Sequence, residues 1–263
     1  NEENMPPQHK GRDGYIDGLI DFLIPDGPEG TDPYWVKAGR SCLTGLTIYT
    51  TNKVEQAKAN DYFVARLSKG ALDKDDLTVL KSYYKGMQQV PEVVKAIEDG
   101  TFSKSDYVPI GTWDPLPKQW IGKEASFGML LDLLNNWMFA KSRELRERRN
   151  AGDMSAMNLD VWQSILDTIV NEIFFYGYSR RALLEVNQTY ALPDKQRASV
   201  LSMAQSGIEP FKNSAIRQRT ASNDFKYDDF RGVKDPVTGQ YKPVTFYVSG
   251  GGGSVCTLFI NMI

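Results

Sequence analysis

The densest chemistry in the chain lies in Lys141, Arg143, Arg146, Arg148 and Arg149, five cations within nine residues, with Glu144 and Glu147 the only acids between them. The excess is +3 over about two and a half helical turns. Such a cluster binds the phosphates of a nucleic-acid backbone or an acidic protein signal. In the last turns of a helix the same cations stabilise the negative end of its dipole. Arg180, Arg181, Lys195 and Arg197 form a looser second group, and Lys212, Arg217 and Arg219 a third. The formal net charge is −2, so any nucleic-acid binding must come from a local patch.

Aromatic side chains offer a second kind of site. Residues 101–123 hold Phe102, Tyr107, Trp113 and Trp120 among three prolines, with no helical or strand period. Tyr107, Trp113 and Trp120 are candidate protein-binding anchors, since aromatics on an ordered loop make contact hot spots. The alternative is that they pack down on helices and tether the loop. Covalent and metal chemistry find little support. The single histidine, His9, stands alone, and Cys42 and Cys256 are far apart in apolar contexts, so neither a zinc set nor a His-assisted nucleophile is expected. The cysteines read as reduced core residues of a cytoplasmic protein. Asp73, Asp75 and Asp76 read as helix-capping acids rather than a cation site. No catalytic, cofactor-binding or metal residue is expected.

Most elements that must position these groups are helical. Residues 14–24 place Ile16, Leu19, Ile20 and Leu23 on one face and Asp13, Asp17 and Asp21 on the other. Asp32-Pro33 starts a helix ending near Thr51, and Asn52 opens another through Leu67. Asp73 caps a helix through Met87, and a short one spans 91–97. Ser126 caps a long helix through Arg149. Ser155 opens the most apolar helix, which stops at Gly177, and further helices cover 180–190 and 195–213. A turn at 235–239 precedes the one expected strand, 243–249. No run of about 18 apolar residues is present, so no membrane span is expected.

Two segments carry a family resemblance. The first is Asp32-Pro33-Tyr34-Trp35 followed by Ala38, Arg40, Leu43 and Leu46. The second is Arg197-Ala-Ser-Val-Leu-Ser, then Phe211, Thr220-Ala-Ser and Asp224-Phe225, followed by the strand around Val244–Val248. In this order they resemble the TraG/VirD-type coupling ATPases of bacterial type IV secretion and conjugation. They cover about a quarter of the chain, and about 53–190 matches no motif of that family. The family's G-x-x-x-x-G-K-[ST] phosphate loop and Asp-Glu-ended strand are not in this sequence, so ATP and Mg²⁺ binding belong to the parent protein and not to this chain.

The resemblance implies a mainly α fold: a helical bundle, the family's all-α domain, with a short β-strand retained from a RecA-like ATPase sheet. The expected organisation is a leading segment 1–31, the all-α substrate-recognition domain 32–231, and a returning strand 232–249. Residues 250–254 (GGGGS) read as an engineered linker, and 255–263 as residual ATPase-domain sequence. The implied function is a non-catalytic, cytosolic domain of an inner-membrane protein. It would recruit secretion substrates, adaptor proteins or relaxase–DNA complexes to a homohexameric ATPase, with the fragment itself monomeric and out of direct contact with the membrane. The alternatives are a DNA-binding module and a structural domain for ring assembly.

Overall fold

One helix, Pro33–Ser68, organises the computed structural model, which describes residues 12–27, 32–88, 90–220, 233–234 and 241–242. The elements are α1 (Arg12–Leu23), α2 (Pro33–Ser68), α3 (Lys74–Gly86), α4 (Pro91–Glu98), α5 (Phe127–Asn150), α6 (Val161–Tyr176), α7 (Arg180–Tyr190), α8 (Asp194–Ile208) and α9 (Ser214–Thr220). A two-residue antiparallel ladder follows, β1 (Val233–Lys234) with β2 (Tyr241–Lys242), pairing Val233 with Lys242 and Lys234 with Tyr241. The mainly α class holds. Among the described residues the strand retained from a larger sheet is not seen: the strands there are these two short ones, which bracket the expected turn. The expected strand at 243–249, the glycine run 250–254 and Cys256 lie outside the described residues.

The expected break at Thr51 is corrected, for α2 runs unbroken through it. Asp32 caps its start, its carboxylate accepting from Tyr34 N at 2.9 Å, with Pro33 in the first turn. The polar run at 50–53 does not cap a new helix, because its side chains find other partners. The Thr47, Thr50 and Thr51 hydroxyls donate to the carbonyls four residues back, at 2.7–2.9 Å. Asn52 accepts from Ser179 N at 2.9 Å, tying α2 to the start of α7. Two further boundaries move. Asp160 rather than Ser155 caps α6, accepting from Gln163 N at 2.7 Å, because residues 154–156 form a 3₁₀ turn. The expected 195–213 helix ends at Ile208 and passes into a 3₁₀ turn where Pro210 enters.

The two halves of α2 serve two hydrophobic cores. The larger joins α1, the first half of α2, and α5 to α8, through Leu43, Leu46, Tyr49, Leu130, Leu133, Ile165, Ile169, Val200 and Phe211. The smaller gathers Phe63, Leu80, Tyr83, Tyr84, Met87, Val90 and Ile110 around the far end of α2. Each fully buried aliphatic or aromatic side chain contributes about 1.5–3 kcal/mol. Glycines allow backbones to touch where elements meet. At Gly45, a Cβ would lie 2.9 Å from Glu185 Cβ and Val186 N, so α2 and α7 approach closely. Gly111 sits directly on the α2 backbone, where a Cβ would be 2.5 Å from the Gln56 carbonyl carbon. Gly177, which ends α6 at φ +66°, lies against Gly86, the last residue of α3.

Burial also sets an alkaline limit on the fold. It pushes the Cys42 thiol from 9.0 up to about 12. Burial first, and Glu172 second, hold the Tyr49 and Tyr178 hydroxyls well above 10.0. A raised folded value means that the unfolded chain releases its proton first, so stability is full below the unfolded value and falls as pH rises above it. The unfolding free energy measured in urea is therefore expected to drop between pH 8 and 10.5, by up to about 1.4 kcal/mol for each pH unit crossed above 9 on account of Cys42 alone. Cys42→Ala should flatten the drop between pH 9 and 10; an equally steep drop in that variant would refute the assignment.

Candidate functional site

The basic cluster is mostly engaged within the fold. Lys141 pairs with Glu144 at 2.9 Å, and Arg143 with Glu147 at 3.3 Å on an exposed face. Arg148 pairs with Asp153 at 2.8 Å and donates to Ser155 Oγ. Arg149 donates to the carbonyls of Ala156 (2.9 Å) and Leu159 (2.5 Å). The last two arginines thus stitch the α5–α6 connection, whose backbone carbonyls need donors. Arg146 is exposed and makes no ion pair with a described residue, so Arg143 and Arg146 are the exposed cations of the cluster that the α5–α6 connection does not use.

The aromatic loop 101–123 packs down on the helices, the second of the two arrangements its sequence allowed. Trp120 is buried, its indole N–H donating to Asp132 Oδ2 at 2.8 Å. Trp113 is half-buried and donates to Asp61 at 2.8 Å, and the half-buried Tyr107 donates to Asn60 at 2.9 Å. Asp132 on α5 is a junction that sequence reasoning missed. It also accepts from Gln119 and from Arg217 of α9 at 2.8 Å, a contact 85 residues away along the chain. The motif residue Arg197 is structural as well: buried, it pairs with Asp160 at 2.7 Å and donates to Leu192 O at 2.8 Å.

Two concavities are lined by described residues. A groove of about 890 Å³ lies between α1, the start of α2 and α7. Its charges satisfy one another: Arg40 binds Asp26 (2.9 Å), Asp21 (3.4 Å) and Ile24 O (2.7 Å), Arg181 binds Asp17, and Ser41 binds Glu185. The second is an open cleft of about 830 Å³ where the two cores meet, lined by Thr112 and Asp114 of the loop and by Glu172, Phe174, Phe175 and Tyr176 of α6.

Beneath this cleft lies the least ordinary polar group of the molecule. Lys53 of α2 is fully buried, and its ammonium bonds Glu172 Oε2 at 2.7 Å. Tyr49 donates to the same oxygen at 2.6 Å. Burial lowers the Lys53 value from 10.5, and Glu172 raises it in part. Glu172 makes no bond to a described residue through Oε1, and Asp114, close enough to act on Lys53, makes no ion pair of its own with a described residue. Phe174 and Phe175 stand about two-fifths exposed at the rim. Gln56, with its amide oriented as its neighbours require, donates to Ile110 O (2.7 Å) and Tyr176 O (3.3 Å) and clasps the floor. Among the described residues no His, Cys, Asp and Glu group is arranged to hold a metal ion, and Asp76 instead completes a capping box with Asp73.

Residues 145–240 match the family described as type IV secretory system conjugative DNA transfer. The match runs from the end of α5 through α6 to α9 and into the ladder, so it takes in α6 and α7, which lie before the second motif segment and showed no family motif in sequence. No curated protein and no solved structure matches the chain. The match over residues 145–240 is consistent with the likeness to TraG/VirD-type coupling proteins seen in the sequence.

Proposed function

We propose that this chain is the cytosolic all-α domain of a type IV coupling protein, which recruits protein or relaxase–DNA substrates to a hexameric ATPase at the inner membrane and performs no catalysis itself. The observation that carries this reading is the family match over a helical bundle, in a sequence without the phosphate-binding loop. No helix of the described residues is long and apolar enough to cross a membrane, which fits a domain held outside the bilayer. ATP and Mg²⁺ would be bound by the parent protein, and docking of substrates would be the work of this domain's surface. Immobilised chain should capture a relaxase or a secreted effector from its own transfer system and ignore a non-transferred control protein; equal capture of both would sink the reading.

A second reading, direct DNA binding, is favoured only by Arg143 and Arg146. Arg143→Glu/Arg146→Glu is expected to change unfolding free energy by no more than about 0.5 kcal/mol, since both are exposed. Arg149→Ala, which orphans two carbonyls, should cost about 1 kcal/mol. In the recruiting reading the charge reversal leaves substrate capture intact. Loss of salt-sensitive DNA retention in that variant would favour the DNA module instead.

A further inference from the structure

We propose that the cleft between the 112–114 segment and the end of α6 binds an extended peptide in which a lysine or arginine adjoins an aromatic or large aliphatic side chain. The proposal rests on the recruiting reading for its partner class, a protein substrate or adaptor. Three separate features of the cleft define the occupant.

The first is charge. Two carboxylates, Asp114 and Glu172, share one ammonium, Lys53, which is fully buried and does not line the cleft. One negative charge is left over, and among the described residues no lysine or arginine lines the opening. Asp114 is exposed and Glu172 Oε1 is taken by no described residue, so a guanidinium or ammonium entering here would find charge-assisted acceptors. In the other groove the acids are already paired across helices. A phosphate backbone would meet like charge in this cleft, which argues against nucleic acid.

The second is the wall. Phe174 and Phe175 are 45% and 42% exposed on consecutive positions of α6, and Tyr176 continues the row inward. Phe175 and Tyr176 meet edge to face at 4.9 Å, and Tyr176 stacks on Tyr178 at 5.7 Å. Aromatic faces next to carboxylates attract a cation a second way, through the ring quadrupole, and accept an apolar neighbour.

The third is rigidity. Lys53 and Tyr49 grip Glu172 from beneath, Gln56 ties the loop to α6, and the Gly86–Gly177 contact locks the adjoining helix ends. A preformed acceptor loses little freedom on binding.

The test uses fluorescence anisotropy of the whole chain with a labelled octapeptide, GSRFKFGS, and its acidic counterpart, GSEFEFGS. The basic peptide should bind, the acidic one should not, and raising salt should weaken the former. Asp114→Asn and Phe174→Ala, both at exposed side chains, should each weaken it about fivefold with unchanged thermal unfolding. No binding of the basic peptide, equal binding of the two, or wild-type affinity in Asp114→Asn overturns the proposal. If the octapeptide binds as expected while the relaxase and effector are not captured, the recruiting reading fails and the cleft stands. If they are captured by Asp114→Asn as by the wild type and the octapeptide does not bind, the reverse holds.

Discussion

Gly177→Ala is expected to lower the unfolding free energy by about 2–5 kcal/mol, among the largest effects of a single methyl anywhere in the chain. Two independent penalties meet there. The residue closes α6 at φ +66°, a left-handed conformation that costs an alanine roughly 1–2 kcal/mol. Its new Cβ would also stand 2.2 Å from Gly86 O and 2.3 Å from Gly86 C, backbone atoms that can yield only by moving the end of α3, at about 1–3 kcal/mol for such overpacking. The reciprocal substitution makes this sharp. A Cβ on Gly86 would lie 3.5 Å from Gly177 O, an ordinary contact, and Gly86 ends a helix without positive φ. Gly86→Ala should therefore be within about 1 kcal/mol of wild type. Urea unfolding of the two variants checks the asymmetry, and equal losses would show that the contact is not as tight as described.

Glu172→Gln is expected to cost about 3–5 kcal/mol, because it strips the only ion-pair partner among the described residues from an ammonium with no exposure to water. Lys53→Met should cost far less, under about 1.5 kcal/mol, since the Glu172 side chain is 18% exposed and opens on the cleft, where water can hydrate it. The double variant Lys53→Met/Glu172→Leu should recover most of the loss. The pH response adds a signature. Lys53 has its folded value lowered by burial, so between that value and 10.5 the unfolded chain holds more protons and this group's contribution to stability rises with pH. Without the Glu172 charge that lowering deepens, and Glu172→Gln should regain ground on the wild type as pH climbs toward 10.5. Parallel pH curves for the two would refute a charged Lys53 in the fold.

The sequence made the helices legible wherever a local signal was honoured locally. Asp32-Pro33, Asp73, Ser126 and Gly177 cap or end helices as their residue types predict. It misled where a polar residue found a distant partner. Asn52 looks like the start of a helix, yet its side chain is taken by Ser179, 127 residues on, and α2 runs straight through. The same blindness hid the cleft. Lys53 and Glu172 are 119 residues apart, in unremarked positions of two helices, and only the fold makes them a buried pair. The short helix α9 lay beyond the expected helices because its anchor, Arg217 on Asp132, is tertiary. The conspicuous signals, the basic run and the aromatic loop, proved largely engaged within the fold, since long side chains with good donors are also the best staples between elements.

The unbroken α2 has one more consequence. At 1.5 Å per residue its 36 residues span about 54 Å, with one end seated among α1, α7 and α8 and the other in the small core around α3. A jointed pair of lobes would close on a ligand as jaws do. A single rod instead acts as a ruler: the self-paired groove and the acidic cleft are held at one separation, and a partner that touches both must match that length rather than reshape it.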